Sequence, residues 1–455
     1  MRLLPLAALA LATVAAPLSA QQPERPFGTL REQATRQQQW LDARLTTVLP
    51  ALMRQHGVQM WVVPMREYNE DPVFSSLVSP TTFSARRRTI YVFFDRGGSK
   101  GIERLALGGS SQGGLYEAVR SQIKVTSGNV GTGNTAELWG DQQWAVLRQV
   151  LEERNPKAIH IDKSRVFAFA DGLSAGEYEG MAEQLGPKWA KRFVQNDALA
   201  INLIATRLPD EEAFYEQLNK LTWQVIREMC SGAQIVPGVT RTSDLVWFFR
   251  QRVNDLGLGT WFQPSVEVQR QGMSAAQLGD DPVIERGDLL HCDVGITSLQ
   301  LNTDTQHMAY VLRQGETTAP AGLTAALRVA NRTQDILMSE IRPGRTGNEV
   351  LQATKMRMTA EQIDGTIYSH PIGMHGHGAG ALIGLWDYQN GVPGRGDHAI
   401  VARMWYSIEL QATARVAEWG GQPLRMALEE DMMIGADGVP RWAYQQQREL
   451  ILVQP

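Results

Sequence analysis

Cysteine is almost missing from this chain: Cys230 and Cys292 are the two among 455 residues. A disulfide scaffold is thereby excluded. A chain of this length does not need one, because it buries enough surface for ordinary hydrophobic cores and for two domains. Cys230 closes a helical pattern and Cys292 lies in a strand, so both read as small buried residues rather than as a bridge or a nucleophile. A surplus of either charge is missing too: 44 basic side chains face 48 acidic ones, a formal net charge of −4. That balance gives no footing for nucleic acid, and no run of like charges marks an interaction tail. Histidine is sparse, with none between His160 and His291. Long apolar runs are absent apart from "MRLLPLAALALATVAAPLSA" at residues 1–20. Arg2 supplies a positive start, the run from Leu3 to Ala16 is short for a bilayer span, and Ser19-Ala20 offers a cleavage site before Gln21. This reads as a signal peptide of an exported protein, periplasmic or secreted, with no transmembrane segment beyond it; the alternative is an N-terminal membrane anchor.

What is present is an α/β pattern. Residues 21–35 are polar and Gln/Arg-rich and read as a mobile arm. From Leu41 onward, helical stretches such as "LTTVLPALMRQHG" and "ELWGDQQWAVLRQVLEER" alternate with short β-branched or aromatic runs, "QMWVVPM", "TIYVFFD" and "AIHID". This pattern closes near Ala205, which predicts one domain over residues 21–205 and a second over 206–455. The second opens at Pro209-Asp210-Glu211-Glu212, a helix start with acids in its first turn, and Phe214, Leu218, Leu221, Val225, Ile226 and Met229 follow at helical spacing. It also repeats itself. "IVPGVT" at 235–240 and "IRPGRT" at 341–346 share I-x-P-G-x-T, each follows an amphipathic helix, and each precedes another; Pro264 and Pro371 extend the register. Pro-Gly alone is a common turn, but the shared order of helix, turn, helix and proline predicts two similar halves.

Within these halves, carboxylates stand where core residues are expected. In "HCDVGITSLQLNTD", Asp293 falls on one strand and Asp304 begins the next, joined by a wide turn. Neighbouring strands run about 4.8 Å apart, so the two acids can face one space. Bare, they repel; a bound cation reverses the sign. The second half offers Glu409 within the strand "WYSIELQA" and Glu429, Glu430 and Asp431 within "RMALEEDMMI". Between them, His370, His375 and His377 stand among glycines in "HPIGMHGHGAGALIGLWD". Two Asp, two Glu and one His make a hard, oxygen-rich set suited to two divalent ions, and two ions about 3.5–4 Å apart can activate a water and polarise a carbonyl.

The order Asp, Asp, His, Glu, Glu resembles that of the pita-bread metallopeptidases: aminopeptidase P, prolidase, methionine aminopeptidase and the related creatinase. "GDLLHCDVGITSLQLNTD" is similar to the family's G-D, D-x-G and a second Asp eleven residues after the first; "GHGAG" to its G-H-G-x-G; "SIEL" to its T-I-E-P strand; and "LEEDMMIGADG" to its final E-D segment with a glycine nine residues on. The resemblance implies an α/β, creatinase-like N-terminal domain and an α+β pita-bread catalytic domain with internal duplication. It implies that Asp293, Asp304, His377, Glu409 and Glu429 (favoured over Glu430) hold two divalent ions, Mn foremost, with Co or Zn as alternatives. It further implies a peptide substrate, Xaa-Pro aminopeptidase or dipeptidase activity, and a homodimer or homotetramer.

Departures are equally specific. The family's histidine before the G-D strand has no counterpart, Gln277 or a neighbour taking its place; the one seven residues after the ligand histidine is Gly384; the Arg three residues after the second Asp is His307. Trp386 and Asp387 are candidate replacement contacts, His370 and His375 candidates for proton transfer, and Glu409 the carboxylate expected to manage the proton besides ligating. Two other readings stay open: a binding protein that keeps the fold without turnover, and a creatinase-like hydrolase of another C–N bond.

Overall fold

The computed structural model describes residues 25–121 and 138–454; the leader at 1–20 lies outside them. The helical pattern begins earlier than the composition suggests. Thr29 caps a helix at Leu30–Ala43 through a reciprocal pair with Glu32, and one turn of wider winding leads into Leu49–Gln55. The polar segment up to residue 35 is therefore not an arm throughout: its second part is the exposed face of a helix whose Trp40 and Leu41 are buried.

The N-terminal sheet has six strands in the order 117–119, 102–107, 88–95, 60–66, 159–161, 193–195. Its core strands, "MWVVPMR" and "RTIYVFFD", are buried on both faces. One face packs on helix Asp141–Arg154 through Trp144, Leu147 and Leu151; the other packs on Leu45, Leu49, Met53 and Leu203. At about 1.5–3 kcal/mol for each fully buried large apolar side chain, two such faces stabilise the layer on both sides.

In the C-terminal domain the repeat is structural. Helices Pro209–Met229 and Thr242–Asp255 are joined through the first Pro-Gly turn, and helices Ala321–Glu340 and Gly347–Ala360 through the second. Gly238 and Gly344 take the same left-handed conformation, φ +80° and +90°, and each donates its N–H to the carbonyl of a distant isoleucine, Ile284 and Ile400 respectively. Each helix pair covers its own core. The first core takes Leu290, Cys292 and Val294 from strand Leu289–Val294; the second takes Leu289 from the same strand and Met308 and Tyr310 from Thr305–Val311. Cys230 and Cys292 share the first core as free, buried thiols.

Three chain passes cross between two small sheets. Asp364–Ile367 continues into His370–Ile372, Trp405–Ser407 into Leu410–Val416, and Gln422–Leu428 into Asp431–Ile434. The first sheet pairs Asp364–Ile367, Leu410–Val416 and Gln422–Leu428; the second pairs His370–Ile372, Trp405–Ser407, Asp431–Ile434 and Pro440–Trp442. Glu409 and Glu429 thus do not sit mid-strand. They lie at the bends where these passes change sheet; there the Glu429 backbone keeps a lone antiparallel bridge to Gln306, with hydrogen bonds of 3.1 and 3.2 Å, and its side chain turns inward.

The domains meet through Phe27, Trp40 and Phe214, with ring centroids 4.7 and 5.7 Å from Phe214, and through a buried ion pair. Arg44 donates to both carboxylate oxygens of Glu211 at 2.7 and 2.9 Å and to the carbonyls of Leu203 and Thr206 at 2.8 Å.

Candidate metal centre

Strands Leu289–Val294 and Thr305–Val311 run antiparallel, with Gln306 opposite Asp293 and Thr305 opposite Val294. The wide turn between them contains its own small hairpin, Thr297–Ser298 with Leu301–Asn302, turned by Leu299 and Gln300 at φ +50° and +64°. This places Asp304 one residue ahead of its strand and lets it meet Asp293. Three overlapping groups of ligand atoms lie within 4.8 Å of one another: Asp293 with Asp304 and Glu429; Asp304 with His370 and His377; and His370 with Glu409 and Glu429. All five residues read as ligands therefore converge, and His370 joins them.

His370 is fully buried at the head of its strand. Its Nδ1 lies 3.0 Å from the Pro371 carbonyl and donates to it, which leaves the Nε2 lone pair facing the cluster. That Nε2 has no hydrogen-bond partner and stands 3.4 Å from Glu429 Oε1, 3.6 Å from Asp304 Oδ2 and 3.8 Å from Glu409 Oε2. His377 sits at the solvent edge, its ring 4.7 Å from that of His370 and 5.3 Å from Trp261. Burial, and after it the neighbouring His370, lower its pKa to about 4, so the ring is neutral as a ligand must be.

The carboxylates are electrostatically frustrated. Burial first, and the charge of Glu429 second, push Asp293, Asp304 and Glu409 well above the ordinary carboxylate range. Asp293 Oδ1 and Asp304 Oδ1 are buried without a partner. Arg425 lowers Asp293 and Glu409 a little, but it is itself paired with Glu267. Divalent cations would relieve this repulsion and engage the orphaned atoms, so the residues fit the metal set that the sequence implies.

The bend between strands turns the two adjacent glutamates to opposite sides. Glu429 faces the cluster and accepts from Ser407 Oγ at 2.5 Å, whereas Glu430 faces away and accepts from Trp223 Nε1 at 3.1 Å, His307 Nε2 at 2.9 Å and the Gln447 N–H at 3.0 Å. His307 is thus a bracing residue behind the site. His375 also stands apart from the ligand groups, against Phe169 of the N-terminal domain with 4.7 Å between ring centroids. Gln277 caps a short exposed helix through Ser274. Trp386 and Asp387 are exposed in a turn bridged by Leu385 and Tyr388. Gly384 cannot become a histidine: its φ is +74°, and a Cβ there would stand 2.4 Å from the Ile367 carbonyl.

Several neighbours escape a sequence reading because they are ordinary residue types. Gln306 donates from Nε2 to Glu409 Oε1 at 2.9 Å and to Glu429 Oε2 at 2.7 Å, while its Oε1 lies 3.0 Å from His291 Nε2. Tyr368 lies tilted against both histidines, centroids 5.4 and 6.0 Å away, and burial with the charges of Glu409, Glu429 and Asp304 raises its phenol. The Tyr215 hydroxyl, 2.7 Å from Asp431 Oδ2, fixes the acid that accepts the Asp304 N–H at 3.2 Å.

Comparison with known proteins places the fold. Residues 213–435 match the model of metallopeptidase family M24, while no curated protein matches the chain in sequence. Among solved structures, an X-Pro aminopeptidase from Thermotoga maritima is 15% identical with a TM-score of 0.59, the match covering 89% of this chain and 100% of that one. An Xaa-Pro dipeptidase from Bacillus anthracis is 16% identical with a TM-score of 0.55, covering 92% and 99%. The N-terminal domain of the FACT complex subunit SPT16 from chickpea is equally similar in shape, TM-score 0.59 at 11% identity, covering 92% and 99%. That last likeness shows the shared fold without a peptidase's name, so activity must be argued from the ligand cluster. The C-terminal domain is a divergent pita-bread member of metallopeptidase family M24.

Proposed function

We propose that this protein is an exported, metal-dependent exopeptidase of the Xaa-Pro aminopeptidase or dipeptidase kind, working as a dimer or tetramer. The observation that carries the reading is the convergence of Asp293, Asp304, His370, His377, Glu409 and Glu429 on one space, with orphaned donor atoms aimed into it. The binding-protein reading gives no reason to keep such a costly cluster. The intact ligands speak against the metal-free C–N hydrolase.

Divalent ions, Mn with Co and Zn as alternatives, supply water activation and charge stabilisation when bound at these residues. The chain supplies the rest. Glu409, whose side chain is 21% exposed, stands between cluster and solvent and is placed to receive a proton and pass it on. Trp261, hydrogen-bonded to the Thr303 carbonyl at 2.9 Å and set against Phe262 and His377, forms an apolar wall for a substrate side chain. Counted from the buried His370, the residue seven positions on is His377, at the solvent edge of the cluster; neither His307 nor His375 faces the cluster, so neither replaces the family's other histidine. Tyr368 does: its phenol stays protonated beside the carboxylates and offers an O–H donor to a developing oxyanion.

The test is to strip the purified protein with chelator, reload it with Mn, Co or Zn, and assay release of amino acids from di- and tripeptides with and without proline. Metal-restored hydrolysis is expected, weak on Xaa-Pro peptides, with Tyr368→Phe losing about 10²-fold in kcat. Hydrolysis that persists in the stripped protein supports the metal-free hydrolase; neither metal uptake nor hydrolysis supports the binding protein.

A further inference from the structure

Gln306 is wired into the ligand carboxylates. Its backbone stands directly opposite Asp293, and its side chain reaches over to Glu409 and Glu429, spending both amide hydrogens on them. The amide has one orientation. Its Oε1 takes the His291 Nε2 hydrogen at 3.0 Å, and His291 Nδ1 lies 3.5 Å from Glu267, which is held by Arg425. Turning the amide over would set its oxygen against the two carboxylates. A chain of hydrogen bonds thus runs from His291 through Gln306 to the two glutamates.

The consequence for ions is uneven. Glu409 Oε2 and Glu429 Oε1, the latter also accepting from the neutral Ser407 hydroxyl at 2.5 Å, are directed at His370 Nε2, 3.8 and 3.4 Å away, with Asp304 Oδ2 at 3.6 Å. That group keeps an imidazole lone pair and three carboxylates, and His377 adjoins it. On the other side, the group of Asp293, Asp304 and Glu429 shares Glu429 with Gln306, whose N–H already occupies Oε2 at 2.7 Å. An amide hydrogen carries partial positive charge and relieves some of the carboxylate repulsion that would otherwise draw in a second cation.

We propose that Gln306 makes this a centre with one tight ion, held by His370, His377, Asp304, Glu409 and Glu429, and that its amide stands in for part of the second ion's charge on the Asp293 side. The proposal rests on the metal-binding reading above. Its test separates the two. Chelator-treated protein is titrated with Mn(II) by calorimetry, and the bound ion is examined by electron paramagnetic resonance. Wild type is expected to take up one tight equivalent with the spectrum of an isolated ion. Gln306→Ala is expected to take up two, its second binding step tightened about 10- to 100-fold by release of the carboxylate from a hydrogen bond to a charged group, with a spin-coupled pair appearing. Gln306→Glu, which keeps the size but exchanges the donor for a ligand oxygen, serves as the second variant and should also take up two. Wild type that binds two ions with similar affinity overturns the proposal and leaves the metal reading standing, as does a single ion in all three proteins. No ion in any of them overturns both.

Discussion

The joint between the domains and the ligand cluster both bury charge, and they complete it differently. At the joint, Arg44 is 1% exposed, yet two of its nitrogens reach two carbonyls and both oxygens of Glu211, and Glu211 also accepts the Leu208 N–H at 2.8 Å. At the cluster, Asp293, Asp304 and His370 each bury an atom with no partner at all. Buried charge that is fully paired holds a structure together; buried charge of one sign with atoms left over is a receptor for something else. The pair Asp71 and Asp162 in the N-terminal domain is intermediate. Both are buried and they face each other; Trp61 Nε1 donates to Asp162 at 2.8 Å and the Val73 N–H to Asp71 at 3.0 Å, but one oxygen of each is orphaned.

The contrast can be broken at the joint first. Arg44→Met leaves Glu211 buried without its cation and should cost about 3–5 kcal/mol, read as a large fall in the denaturant midpoint. Adding Glu211→Leu should recover part of that loss, because the uncompensated charge goes too. A single variant as stable as wild type would mean that the pair is not what joins the domains.

At the cluster the sign should invert. In chelated protein, Asp304→Asn removes one of several mutually repelling acids and should raise stability by about 1 kcal/mol, a few degrees in Tm. With Mn present the order should reverse, because wild type gains the ion's binding energy and the variant gains less. A metal-free variant that melts lower than wild type would show that Asp304 is structural.

The pH-dependent effect concerns Asp71. Burial, and after it the charge of Asp171, raises its pKa from 3.8 to about 7. The folded state therefore holds a proton that the unfolded chain releases, so stability falls as pH rises from about 4 through 7 and levels off above. Asp71→Asn keeps an oxygen for Val73 and should flatten that slope, gaining over wild type at pH 8 but not at pH 4. Parallel melting curves for the two proteins across this range would remove Asp71 from the account.

Much of this is written locally. The Pro-Gly turns, the helical spacing after Pro209 and the apolar strands of the first sheet are short-range patterns, and short-range sterics and burial follow them. The residue types of the cluster were legible for the same reason, since two aspartates on apolar strands and histidines among glycines conflict with a simple core. The start of the first helix was obscured because its solvent face is as polar as an arm.

The sequence by itself determined the chemistry on offer: five acids and histidines in a fixed order. Tertiary structure decided the selection. Where three passes bend from one sheet to another, Glu429 turns inward and Glu430 outward, His370 enters the cluster and His375 leaves for Phe169. Gln306, a residue with no charge and no motif, became the partner of two ligands because the register sets it opposite Asp293 and its length reaches the bend. Spacing along a chain carries the strand period, but the place where a sheet breaks, and the side chains that meet there, arise only when distant segments pack.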